Sequence, residues 1–87
     1  MATVYGLYNY RKRQRYYGTT TRAMRERLRE HRAGQTQATR HWNWKRDRII
    51  CRVIARGLPL DKAIEKAHEL ELRTPPPRWM VIQTGGM

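Results

Sequence analysis

The chain has 87 residues, with 19 Lys and Arg against 7 Asp and Glu, a formal net charge of +12 and a sequence pI near 11.1. That length carries one domain, residues 1–87, and excludes two separate cores or a large enclosed cofactor pocket. No stretch approaches the ~20 consecutive apolar residues of a membrane span. Met1 to Tyr10 lacks the basic-then-apolar layout of a secretory signal, and the lone Cys51 can close neither an internal disulfide nor a zinc ribbon. A soluble, intracellular, cytoplasmic protein with no membrane partner is expected, with Cys51 as a small buried apolar side chain.

Residues 3–9 read as a strand, with Val4, Tyr5, Leu7 and Tyr8 as good strand formers. Residues 13–19 resume with Tyr16 and Tyr17 before Gly18, so a hairpin joins the two. Thr19, Thr20 and Thr21 offer an N-cap for a helix over 22–32, and Gly34 stops it. A polar linker, 35–39, leads to Trp42 and Trp44. The run 48–55 fits a strand by alternation and a helix by its Ile49, Ile50, Val53, Ile54 stripe; β-branched content favours the strand. Residues 61–72 form a helix with Leu60, Ala63, Ile64, Ala67 and Leu70 on one side, ended by Thr74 and the three prolines. Trp79 to Gln83 reads as a last short strand. The expected fold is α+β, a small three-stranded antiparallel sheet flanked by helices.

The charge is unevenly placed. Residues 1–56 hold 15 basic and 3 acidic side chains, whereas residues 57–87 hold 4 of each. Such a field favours a polyanion through counterion release, so nucleic acid is the expected partner. Arg11, Lys12, Arg13, Arg15, Arg22, Arg29, Arg40, Lys45 and Arg46 are candidate phosphate contacts. In the first helix Met24 and Leu28 form the apolar stripe, and Arg27 and His31 continue that face. Setting a guanidinium and an imidazole beside a buried edge costs desolvation, which points to an anion bound there.

Thr3-Val4-Tyr5, ten intervening residues, Tyr16-Tyr17-Gly18, and a following helix with Arg27 and His31 together resemble the GIY-YIG nuclease family over residues 3–31. A rival register through Gly6-Leu7-Tyr8 leaves only seven residues before Tyr16, too few for the family's spacing. The resemblance implies a metal-dependent DNA endonuclease, with Tyr5 and Tyr16 positioning and helping to deprotonate a water and Arg27 holding the scissile phosphate. It also implies a late glutamate that holds one Mg2+ or Mn2+. A phenol near pKa ~10 is a poor base at neutral pH, so His31 and the arginines are expected to lower it.

Counting about 100° per residue around the last helix, Glu71 falls on the apolar side and Glu65 and Glu69 on the solvated side. Glu71, in a stretch that resembles the family's Ala-x-x-Leu-Glu, is the expected metal ligand. The closing Gly85-Gly86 is similar to the family's glycine pair, and Gln83 is the nearest amide to where the family often has an Asn. Trp42 and Trp44 suit either the core or stacking on bases, and His41 and His68 are isolated. Because specific interfaces bury ~1,000 Å2 or more, so small a nuclease would be nonspecific, structure-selective, or dependent on a partner protein or a second copy. Two alternatives stand beside cleavage: a catalytically inactive nucleic-acid-binding protein on the same scaffold, and a basic RNA-binding module.

Overall fold

The computed structural model describes residues 1–84. The glycine pair Gly85-Gly86 lies outside the described residues. β1 (Ala2–Asn9) and β2 (Gln14–Thr20) form an antiparallel hairpin in which Tyr5 faces Gly18 and Leu7 faces Tyr16. The turn is held by Asn9, whose buried Oδ1 accepts the Arg11 and Lys12 amides, and by Arg13, which takes φ 55°. β3 (Ile49–Leu58) pairs antiparallel on the other side of β1, so the ambiguous run is a strand, as its β-branched content favours. β1 is thereby the central strand.

The sheet has four strands rather than the expected three, in the order β3-β1-β2-β4, and it is mixed. β4 (Met80–Val81) adds parallel to β2, with the Met80 amide donating to the Arg13 carbonyl at 2.9 Å and Ile82 to Arg15 at 2.8 Å. The cause lies in α2 (Leu60–Glu71), which carries the chain back along the sheet before the proline run returns it beside the open edge of β2.

Strand alternation divides the core in two. On one face Ala2, Val4 and Tyr17 meet Ala63, Ala67 and Leu70 of α2. On the other, Tyr5, Leu7 and Tyr16 meet Trp42 and, from α1 (Met24–Arg32), Met24 and Leu28. α1 begins two residues later than expected and has Ala23 as its N-cap, without a side-chain cap bond. Thr19 and Thr20 are consumed by β2, and Thr20 Oγ1 accepts the Arg22 amide at 3.0 Å instead. Gly34, at φ 74°, ends the helix as read from the sequence.

The linker folds into one 3-10 turn, Gln37–Thr39, which buries Thr39. Both tryptophans pack under α1: Trp42 is buried and its Nε1 donates to Gln14 Oε1 at 2.7 Å, while Trp44 lies against His31. Of the two readings open for them, the structure selects the core. Cys51 is half-buried on β3.

Candidate functional site

On the α1 face of the sheet, four polar side chains join in one chain of hydrogen bonds. Arg27 Nε donates to the Tyr5 hydroxyl at 3.0 Å. That hydroxyl lies 2.7 Å from His31 Nε2, and His31 Nδ1 lies 2.7 Å from Thr39 Oγ1. The guanidinium can only donate, so the Tyr5 oxygen accepts from it, and the tautomer that uses both ends of the imidazole has the phenol give its proton to Nε2. Nδ1 then carries the imidazole proton and donates to Thr39. Tyr16 completes the group, its ring centroid 6.0 Å from that of Tyr5 and 5.2 Å from that of His31.

The elements explain the convergence. Tyr5 and Tyr16 come to one face from adjoining strands, and Arg27 and His31 come from one stripe of α1. Gly18 makes room: a Cβ there would stand 2.7 Å from the Tyr16 hydroxyl and 2.8 Å from that of Tyr5.

Electrostatics set the protonation states. His31 is wholly buried, and burial, aided by the Arg27 charge, lowers its pKa to about 4, so the imidazole is neutral at pH 7. Tyr5 goes the other way: burial and the neighbouring Tyr16 raise its pKa against the opposing pull of Arg27. The expected lowering of the phenol by His31 and the arginines therefore does not occur, because desolvation outweighs one nearby cation and His31 carries no charge. Burial works against the Arg27 charge, but its bonds to Glu30 and Tyr5 prevail and keep the guanidinium protonated.

Arg27 is also the member of this network that reaches solvent. It lines a cleft of about 480 Å3 with Thr19, Arg22, Glu30, Leu60 and Ile64. Glu30 is shared there, accepting from Arg27 at 2.9 Å and from Arg22 on its second oxygen. Two arginines thus close on one carboxylate at the mouth of the cleft. Both phenols stand behind this wall, at 0% and 1% exposure.

No family model, curated protein or solved structure matches the chain.

The site residues read from the sequence divide into three groups. Tyr5, Tyr16, Arg27 and His31 come together. Glu71 is buried while Glu65 and Glu69 are exposed, as the helical wheel has it. Yet α2 packs on the Val4 and Tyr17 face of the sheet, and its contribution to the cleft is Leu60 and Ile64. Glu71 lies seven residues beyond Ile64, roughly 10 Å along the helix axis, and its carboxylate accepts from the amide and the hydroxyl of Thr84. Gln83, the amide considered for the Asn position, donates to the Glu71 carbonyl at 3.2 Å. Among the described residues no group of three or more His, Cys, Asp or Glu is placed to hold a metal ion. Glu71 thus lies outside the residues that line the cleft with Arg27.

The cationic candidates are dispersed. Arg11 pairs with Asp47 at 3.5 Å beside the hairpin turn that carries Lys12 and Arg13. Arg22 belongs to the cleft, Arg29, Arg40, Lys45 and Arg46 are exposed, and Arg15 turns to the opposite face of the sheet. Sequence reasoning missed Glu30 and Thr39. Glu30 stands three residues after Arg27, a spacing that predicts the ion pair. Thr39 had no such signal, because only the fold of the linker brings it under His31.

Proposed function

We propose that the chain is a GIY-YIG-type endonuclease, a phosphodiesterase acting on DNA. The reading rests chiefly on one observation: a single guanidinium, Arg27, both lines an open cleft and holds the hydroxyl of Tyr5, behind which a neutral His31 presents its lone pair. A phosphodiester entering the cleft takes the place of the Glu30 carboxylate on Arg22 and Arg27. Drawing the Arg27 guanidinium forward onto the phosphate uncovers the Tyr5 hydroxyl. A water admitted there gives a proton to the Tyr5 oxygen as the phenolic proton passes to His31 Nε2, and the hydroxide so formed attacks phosphorus. The scissile P–O bond breaks, the departing sugar oxygen takes a proton from solvent, and His31 releases its own proton to solvent as the site resets. Arg22 and Arg27 meet the charge that builds on the phosphoryl oxygens. Burial is the chief cause of the lowered His31 pKa; pairing Arg27 with phosphate offsets only the smaller contribution of the guanidinium, and to that extent makes Nε2 a better acceptor.

Every step assigned to the cleft belongs to its own side chains, since Glu71 stands apart from it. The Mg2+ or Mn2+ requirement remains part of the proposal as an arm of its test. The assay is plasmid nicking by the purified chain with and without EDTA, beside Arg27→Ala and Tyr5→Phe. Nicking by the wild type and a loss of about 100-fold or more in both variants support the reading. Undiminished nicking by Arg27→Ala sinks it. Loss of activity in EDTA with full activity in Glu71→Ala places the metal elsewhere than Glu71.

The burial of both phenols, together with the apolar Leu60 and Ile64 that α2 presents to the cleft, favours a second reading. In it the chain binds phosphodiesters on the same scaffold without cutting them. A salt-sensitive gel shift with no product in any divalent metal selects it.

A further inference from the structure

The reverse face of the sheet carries a second cationic hollow, which none of the steps above uses. It measures about 330 Å3 and is lined by Tyr8, Tyr10, Arg15 and Arg52. Register explains the grouping. Tyr8 faces Arg15 across β1 and β2, and Arg52 faces Gly6 across β3 and β1, so all three side chains project from the face opposite Tyr5 and Tyr16. α2 covers the Val4 end of that face and leaves this end open.

The chemistry is that of an anion site with aromatic walls. The Arg15 guanidinium lies 5.2 Å from the Tyr8 ring centre and 5.1 Å from that of Trp79, so two rings hold it in place. It donates to the Tyr17 hydroxyl at 3.4 Å, but its buried Nε finds no acceptor. Arg48 lies 5.2 Å from the ring centre of Tyr10, which places a third guanidinium at the rim. Among the described residues no carboxylate pairs with Arg15, Arg48 or Arg52. Three arginines without counter-charge, one of them with an unsatisfied buried N–H, are the complement of a phosphate. The hollow's volume is at the small end of the range for ligand sites and suits one nucleotide unit.

We infer that this hollow binds the backbone of a single-stranded nucleic acid, with a phosphate between Arg15 and Arg52 and the attached sugar and base against Tyr8 and Tyr10. A single strand is the occupant because a base must turn aside from its partner to lie on an aromatic wall, which a paired duplex does not allow. The strand is held here and is not cut, since among the described residues the lining holds no imidazole or carboxylate to take a proton from water.

The probe is a fluorescein-labelled ten-nucleotide oligothymidylate, titrated with the full chain and followed by anisotropy at several salt concentrations. Arg52 is exposed and Tyr10 is 44% exposed, so Arg52→Gln and Tyr10→Ala leave the core intact. Arg52→Gln is expected to weaken binding about tenfold and to lower the salt slope by about one. Tyr10→Ala is expected to weaken binding of the oligothymidylate but not of an abasic oligomer of the same length. Lys62→Gln, an exposed cation on α2, is the control for net charge alone. An Arg52→Gln loss no larger than that of Lys62→Gln overturns the proposal, as does a Tyr10→Ala effect of equal size on both probes. Arg27→Ala separates the two sites: if it abolishes nicking while the Arg52 effect on binding persists, both stand. If Arg27→Ala leaves nicking unchanged, the cleavage reading falls and the hollow is judged on binding alone.

Discussion

His31 is the residue whose environment has the most direct consequence for pH. Its folded pKa is lowered from the ordinary 6.5 to about 4, so between those values the unfolded chain binds a proton that the native chain does not. Stability therefore falls as the pH drops from about 6.5 to about 4, by roughly 3 kcal/mol across the window, and levels off below it. Urea unfolding at pH 7.0 and pH 4.5 checks this: His31→Gln should lose much less stability between the two than the wild type. An equal loss in both would show that the group titrates as if exposed. Thr39 acts on the same imidazole from the other side. Thr39→Val keeps the shape but leaves the Nδ1 proton of His31 buried without an acceptor, a cost of about 1–3 kcal/mol. Thr39→Ser, which retains the hydroxyl, should restore both stability and nicking. Failure of the serine to rescue would mean that Thr39 serves packing alone.

At the scale of elements, the hairpin of β1 and β2 is the device that brings two phenols onto one face, and Gly18 is its tightest point. A methyl group there would meet the hydroxyls of Tyr16 and Tyr5 at 2.7 and 2.8 Å, with neither ring free to withdraw from the core. Gly18→Ala should therefore cost about 1–3 kcal/mol and displace Tyr5 from Arg27. Gly6→Ala meets the far end of the Tyr8 side chain, which is less buried. Thermal melts of the two variants separate the cases: Gly18→Ala should be the less stable, and the reverse order would refute the crowding argument. The hairpin and both helices were legible because each has its own period and its own stop, Gly34 for α1 and the prolines for α2, whereas β3 carries both periods and only its β-branched content favoured the strand. β4 was half legible, for Trp79 to Gln83 suggested a strand, yet nothing local told that it would lie parallel to β2. The threonines misled as a cap because the same residues also make good strand. Arg27 and His31 were legible as a pair because they share one helical face, and Tyr5 and Tyr16 joined them through the family resemblance of the two tyrosine triplets. Glu71 shows the limit of that reasoning: a helical wheel gives the angle of a side chain about the axis, and so its burial. Which sheet face the helix covers, and how far along it the carboxylate falls, are decided by tertiary packing.

For the whole molecule, the question is how a +12 charge is spent when so few acidic groups oppose it. All of the excess lies in residues 1–56, the part of the chain that builds both sides of the sheet. One side presents Arg22 and Arg27 in the cleft, and the other presents Arg15, Arg48 and Arg52 around the hollow. A nucleic acid that engages both sides neutralises more phosphates than either site could alone, and the count is readable from salt. If about six phosphates are contacted, the logarithm of the affinity for a long single strand should fall with the logarithm of salt at a slope of about −4, using the single-strand coefficient of ~0.7 per phosphate. A four-nucleotide oligothymidylate, too short to pass from one face to the other of a molecule 34 × 28 × 18 Å across, should show a slope closer to about −2. Arg22→Gln should then shrink the slope for the long strand and leave that of the short probe unchanged, because the short probe is held at the hollow. Equal slopes for the two lengths in the wild type would mean that only one face is in use and that the remaining charge is solvated surface.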